Sequence, residues 1–114
     1  MNSDFNTIDL AQQLIREKSV SPEDGKCQKI ISDFLQPLGF TIESMPFGPV
    51  KNLWATRNSK AGPFLLFAGH TDVVPPGPLG EWDFYPYSAE IESDNLHGRG
   101  SADMKGALAA MLTA

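Results

Sequence analysis

An imidazole and two carboxylates carry the chemistry this sequence offers. His70 and Asp72 stand two residues apart in Ala68-Gly69-His70-Thr71-Asp72-Val73-Val74-Pro75-Pro76-Gly77, and on an extended backbone residues i and i+2 project to the same side. Either both converge on one point, or Asp72 holds the ring of His70 while His70 holds something else; spacing alone leaves both arrangements open. A second acidic motif, Gly98-Arg99-Gly100-Ser101-Ala102-Asp103-Met104-Lys105-Gly106, places Asp103 33 positions beyond His70. That distance is compatible with a loop and hairpin that return to the same sheet edge. Imidazole nitrogen with carboxylate oxygens suits zinc, and the two oxygens of one aspartate can bridge two ions. We therefore expect Asp103 to join His70 at a metal. His-x-Asp by itself is a short pattern that arises by chance, and a histidine at a strand end is often structural, so the weight rests on the pairing of the two motifs.

These groups need elements to hold them. Phe64-Leu65-Leu66-Phe67-Ala68 has no polar alternation, which predicts a strand covered on both faces in the middle of a sheet, running out into a loop at Gly69. In open α/β sheets ligands gather at the carboxyl ends of strands. Residues 7–17 carry Leu10, Ala11, Leu14 and Ile15 on one face, an amphipathic helix. Ser19-Val20-Ser21-Pro22 breaks it, and Ser21 followed by Pro22, Glu23 and Asp24 predicts the start of a second helix, with a hydroxyl cap and acids at the positive end of the dipole. Cys27, Ile30, Ile31, Phe34, Leu35 and Leu38 form its apolar stripe, Pro37 should end it early, and Gly39 supplies the stop. Phe40, Ile42 and Met45 alternate with polar residues as a strand, Asn52-Leu53-Trp54-Ala55-Thr56-Arg57 returns, and residues 58–63 are turn chemistry. Residues 74–87 are rich in Pro, Gly and aromatics and predict an ordered loop beside the site. Ala89-Glu90-Ile91-Glu92, Ser93-Asp94-Asn95 and Leu96-His97 predict a short hairpin leading into the second motif. Residues 104–114 start an apolar, Ala-rich helix that should be buried on most of its circumference and that carries no stop signal, so it reads as cut.

Composition bounds the alternatives. A chain of 114 residues with 41% hydrophobic content fits one globular domain. A net charge of −5 without any Lys/Arg run argues against non-specific binding to nucleic acid. The single cysteine, Cys27, cannot form an internal disulfide and lies on the helical stripe, so it reads as a small buried side chain in a protein of a reducing compartment. Met1-Asn2-Ser3-Asp4 lacks a signal-peptide pattern, and no apolar run approaches the length of a bilayer, so the expected location is cytoplasmic, away from the membrane. Gly98-x-Gly100 before a helix is not a phosphate loop, because Asp103 stands where the third glycine belongs and would repel phosphate. The glycines then read as a tight turn anchored by Arg99. His97 reads as a surface strand residue, and Trp82 and Tyr85 as packing.

The two motifs together resemble those of the dizinc aminoacylase and carboxypeptidase superfamily, the M20 metallopeptidases. Ser21-Pro22-Glu23-Asp24, Cys27-Gln28, Gly39-Phe40, Asn52-Leu53-Trp54-Ala55 and Phe67-Ala68-Gly69-His70 extend the resemblance over nearly the whole chain. Ser101 stands where alanine is commoner and Tyr87 where phenylalanine is.

The resemblance implies a mixed α/β fold with a largely parallel central sheet flanked by helices, residues 1–114 forming the N-terminal portion of a zinc-binding catalytic domain. It implies that His70 ligates one zinc, that Asp103 bridges two zinc ions, one of them exchangeable for cobalt, and that Asp72 serves the catalytic site by fixing the tautomer of His70. It also implies a cis peptide between Asp103 and Met104. The reaction implied is hydrolysis of the amide of the small molecule N-succinyl-LL-2,6-diaminopimelate to succinate and LL-2,6-diaminopimelate, in lysine and cell-wall precursor synthesis. In the family a glutamate base, further ligands and a lid and dimerisation domain lie beyond position 114, so the parent is expected to be a homodimer and this polypeptide alone to be inactive. Two rivals remain: a related deacylase or aminopeptidase of the same superfamily, such as one acting on acetylornithine, and a non-catalytic fragment.

Overall fold

A computed structural model describes residues 6–58 and 61–114; Met1-Asn2-Ser3-Asp4 and the centre of the turn expected at residues 58–63 lie outside the described residues. Helix α1 (Thr7–Arg16) begins at Asn6, whose side chain accepts from the Asp9 amide at 2.9 Å while the Asp9 carboxylate accepts from the Asn6 amide at 3.4 Å. This reciprocal cap satisfies two otherwise orphaned donors. Leu10, Ala11, Leu14 and Ile15 are all buried, as the stripe predicts.

Helix α2 (Cys27–Leu35) buries Cys27, Ile31 and Leu35, and a tight turn over Gln36–Leu38 carries Pro37. The proline ends the regular helix early, and Gly39 closes the turn at φ 92. The start differs from expectation. Lys26, not Ser21, occupies the cap position, and Ser21-Pro22-Glu23-Asp24 is a non-helical connection. The reason is that the hydroxyl of Ser21 is engaged elsewhere, on the carboxylate of Asp72.

Helix α3 (Gly106–Thr113) lies against α1, with the Thr7 and Thr113 hydroxyls 2.6 Å apart. The core is the seam of the three helices: Leu10, Ala11, Leu14, Cys27, Ile31, Leu35, Leu108 and Ala109. On α3 only Leu108 and Ala109 are buried, less than its all-round apolarity predicts.

Strands β1 (Thr41–Ser44) and β2 (Leu53–Thr56) pair antiparallel, Thr41 opposite Thr56 and Ser44 opposite Leu53. Strands β3 (Ile91–Glu92) and β4 (Asn95–Leu96) form the expected short hairpin, with Ser93 and Asp94 at φ 54 and 62, as a two-residue turn of this hand requires. The fold is thus mixed α/β, but the described residues build two separate antiparallel pairs and no parallel central sheet.

The expected middle strand accounts for the difference. Phe64, Leu65, Leu66 and Phe67 are 72%, 83%, 67% and 58% exposed and pair with no described strand. An apolar run is stable as a central strand only with backbone partners on its edges and helices on its faces. Here β1 and β2 spend their hydrogen bonds on each other, and among the described residues the one parallel pairing is a single bridge between Val20 and Val73.

Candidate metal centre

Two glycines bring the motifs together. A methyl group on Gly69 would lie 2.8 Å from Leu108 Cδ2, so the absence of a side chain lets the backbone before His70 rest on α3. One on Gly100, at φ 88, would lie 2.7 Å from Val73 Cγ1, so the second motif packs directly on the first. After Gly100 the chain makes one wide turn over Ser101–Lys105, closed by the Lys105 amide donating to the Gly100 carbonyl at 2.7 Å. Asp103 sits in this turn with an extended backbone, φ −131 and ψ 94, and the Asp103–Met104 peptide is cis, as the resemblance implied.

The three sequence-predicted residues meet. His70 Nε2 faces Asp103 Oδ1 at 3.1 Å. Its Nδ1 faces the Asp72 backbone carbonyl at 3.0 Å and the Asp72 carboxylate at 3.4 Å. The His70 amide donates to the sulfur of Met104 at 3.4 Å. Asp103 is 86% exposed, whereas His70 and Asp72 are each about half exposed, at 48% and 44%.

This arrangement fits a zinc ion. Two ligand atoms about 2.0–2.1 Å from a tetrahedral zinc lie roughly 3.3 Å from each other, and the 3.1 Å between Nε2 and Asp103 Oδ1 is close to that. The side with Asp72 can take the ring proton, which leaves the Nε2 lone pair for a metal; an acid behind a ligating histidine is the common arrangement. Among the described residues no group of three or more His, Cys, Asp or Glu side chains gathers around one point.

The connection between α1 and α2 grips this loop, which sequence reasoning did not foresee. Val73 donates from its amide to the Ser19 carbonyl at 2.9 Å, and the Ser21 amide donates to the Val73 carbonyl at 3.0 Å. Buried Ser19 donates its hydroxyl to the Thr71 carbonyl at 2.7 Å. The Thr71 hydroxyl donates to Asp24 at 2.6 Å, and the other Asp24 oxygen accepts from the Gln28 amide at 3.0 Å, tying the loop to the first turn of α2. Ser21 donates to Asp72 Oδ2. The available signal was a connection rich in hydroxyls and acids between two apolar stripes.

Behind the centre Lys105 is fully buried, its ammonium donating to the Glu17 carbonyl at 2.9 Å near the C-terminal end of α1, where the helix dipole favours a cation. Burial pushes its pKa below the ordinary lysine range, opposed by Cys27 and Glu17. Cys27 is buried as the stripe predicts, and burial raises its thiol above the ordinary 9.0, opposed by Lys105. Above that ordinary value the unfolded chain loses the thiol proton while the folded chain keeps it, so this group costs stability as pH rises. In urea titrations at pH 8 and pH 10, the stability of the native chain relative to Cys27→Ala is expected to fall with pH, because the variant lacks that proton.

The remaining candidates take structural places. Arg99 stacks its guanidinium over Trp82 at 5.2 Å and donates its amide to the Pro86 carbonyl at 2.8 Å, anchoring the turn by stacking as well as by hydrogen bonding. His97 is not a surface residue: it is partly buried with Nε2 fully enclosed, and its ring packs on Phe84 at 4.8 Å, because the aromatic loop folds back over β4. Trp82 holds that loop by donating to the Pro76 carbonyl at 2.9 Å, while Tyr85, half exposed, packs edge-on against Tyr87. No helix among the described residues is long and apolar enough to cross a membrane.

Comparison with known proteins covers the same ground. The chain is 56% identical over 109 residues to the succinyl-diaminopimelate desuccinylase of Hydrogenovibrio crunogenus, covering 95% of this chain and 29% of that protein. It is 54% identical over 108 residues to the protein of that name from Hahella chejuensis, covering 95% and 28%, and 52% identical over 109 residues to that of Methylococcus capsulatus, covering 96% and 29%. The chain therefore spans less than a third of the length of these relatives. Residues 66–114, which hold His70, Asp72 and Asp103, match the peptidase family M20/M25/M40. In the two motifs and over residues 66–114 the chain is similar to the M20/M25/M40 peptidase family.

Proposed function

We propose that this chain is the metal-binding part of a zinc-dependent amidohydrolase that cleaves N-succinyl-LL-2,6-diaminopimelate to succinate and LL-2,6-diaminopimelate. The observation that carries the reading is the 3.1 Å approach of His70 Nε2 to Asp103 Oδ1 with Asp72 behind the ring. The substrate class follows from the names of the relatives, which are more than half identical to this chain.

In this reading His70, through Nε2, and Asp103 would hold the zinc, and Asp72 would hold the Nδ1 proton. Bound zinc would polarise the amide carbonyl and lower the pKa of a water molecule. A catalytic zinc takes three protein ligands, and His70 and Asp103 supply two, so a general base and further ligands come from residues outside these 114. Phe64-Leu65-Leu66-Phe67-Ala68 then takes the middle of a largely parallel sheet in the longer polypeptide, a placement its unbroken apolarity and unpaired backbone support. The acidic balance of the chain suits a small-molecule enzyme of the cytoplasm better than a nucleic-acid or membrane binder.

The test is a substrate panel. The longer polypeptide loaded with zinc should turn over succinyl-diaminopimelate in clear preference to acetylornithine, and the isolated 114 residues should turn over neither. The reverse preference would overturn the substrate assignment while leaving the family likeness intact, and turnover by the isolated chain would overturn the incompleteness of the site.

A further inference from the structure

Ser21 lies outside both motifs, about 50 residues before the acid it touches, and its hydroxyl has no role in starting α2, which begins at Cys27. It donates instead to Asp72 Oδ2, while Asp72 Oδ1 faces His70 Nδ1 at 3.4 Å. The contact is built rather than incidental. The Ser21 amide donates to the Val73 carbonyl at 3.0 Å and the Val73 amide to the Ser19 carbonyl at 2.9 Å, so the backbones on both sides of the Ser21–Asp72 pair are fixed to each other. Ser19 fixes the residue between His70 and Asp72 by its hydrogen bond to the Thr71 carbonyl.

We propose that Ser21 is a positioning residue for His70, acting through Asp72: by holding Oδ2 it keeps Oδ1 on Nδ1 and keeps Asp72 from turning outward as a ligand. Asp72 has two possible uses beside a metal, ligand and orienter, and a carboxylate with one oxygen tied to a fixed hydroxyl is committed to the second. His70 Nδ1 then has two acceptors, the Asp72 carbonyl and carboxylate, whereas Nε2 faces one oxygen of an exposed side chain. Two acceptors at Nδ1, against one at Nε2, favour the proton on Nδ1 and so leave the Nε2 lone pair for a metal. The inference rests on the proposed metal-binding role of His70, and its test separates the two.

Ser21→Thr keeps the hydroxyl and Ser21→Val has nearly the same shape without it, so any difference between them reports the hydroxyl and not the packing. The first readout is the ring ¹⁵N spectrum of the metal-free chain, at a pH where the imidazole is neutral; the chain holds two histidines, and His97 serves as the internal reference. The native chain and Ser21→Thr should show His70 with the proton on Nδ1, and Ser21→Val a shift toward the Nε2–H form. The second readout is the zinc affinity of the longer polypeptide, expected to fall about tenfold in Ser21→Val and to be retained in Ser21→Thr, as for other outer partners of ligating histidines. Identical ring spectra for Ser21→Val and Ser21→Thr, or a native His70 protonated on Nε2, would overturn the proposal. A tautomer shift together with a longer polypeptide that binds no zinc would leave the Ser21 assignment standing and remove the metal-binding role of His70.

Discussion

Asp103→Asn is expected to lower kcat/KM for amide hydrolysis by the zinc-loaded longer polypeptide on the order of 10³-fold, several kcal/mol of transition-state stabilisation. The substitution keeps the size of the side chain and its reach toward His70 Nε2, so the 3.1 Å contact can persist. It removes the negative charge and one of the two anionic oxygens that a bridging role needs. Because Asp103 is 86% exposed and the core does not depend on it, the fold should survive, and a thermal melt without metal should match that of the native protein. Metal content and kcat/KM measured on one preparation check the prediction; undiminished activity with two ions bound would show that Asp103 does not bridge them.

Gly100→Ala is expected to destabilise the chain by about 2–4 kcal/mol, combining a left-handed backbone that alanine adopts reluctantly with an overpacked contact. The added methyl would meet Val73 Cγ1 at 2.7 Å and Lys105 Cδ at 3.2 Å, and both neighbours are buried. Val73 follows Asp72 directly and Gly100 stands three residues before Asp103, so relief of this clash pushes the two halves of the centre apart. Urea unfolding of Gly100→Ala and of the double variant Gly100→Ala/Val73→Ala measures the two contributions. The double variant relieves the clash, so its loss should be smaller than the sum of the two single losses; full additivity would mean that the methyl and Val73 do not meet.

Much of the local structure was legible in the sequence. The stripe Leu10, Ala11, Leu14 and Ile15 gave α1, the stripe from Cys27 gave α2, and Pro37 with Gly39 gave its end. Both hairpins were legible for the same reason, since alternation and turn residues act over a few positions of chain. Ser21-Pro22-Glu23-Asp24 shows where local reading failed: it has the chemistry of a helix start, yet Ser21 and Asp24 bond across space to Asp72 and Thr71. Phe64-Leu65-Leu66-Phe67-Ala68 failed in another way, because a central strand is defined by neighbours, and none of the described strands lies beside it.

The sequence by itself singled out the residues with the chemistry for a metal site, His70 and Asp103 with Asp72 beside them, and the likeness of residues 66–114 to the M20/M25/M40 peptidases. Tertiary structure alone decided how they face one another: Nε2 toward Asp103, Nδ1 toward Asp72, and Asp72 held by Ser21. The division is physical. Side-chain type and turn chemistry act within a few residues, whereas the hydrogen bond from Ser19 to Thr71 spans 52 residues and that from Thr71 to Asp24 spans 47. Contacts at that separation exist only once the chain has closed on itself, and no local pattern encodes which donor will meet which acceptor.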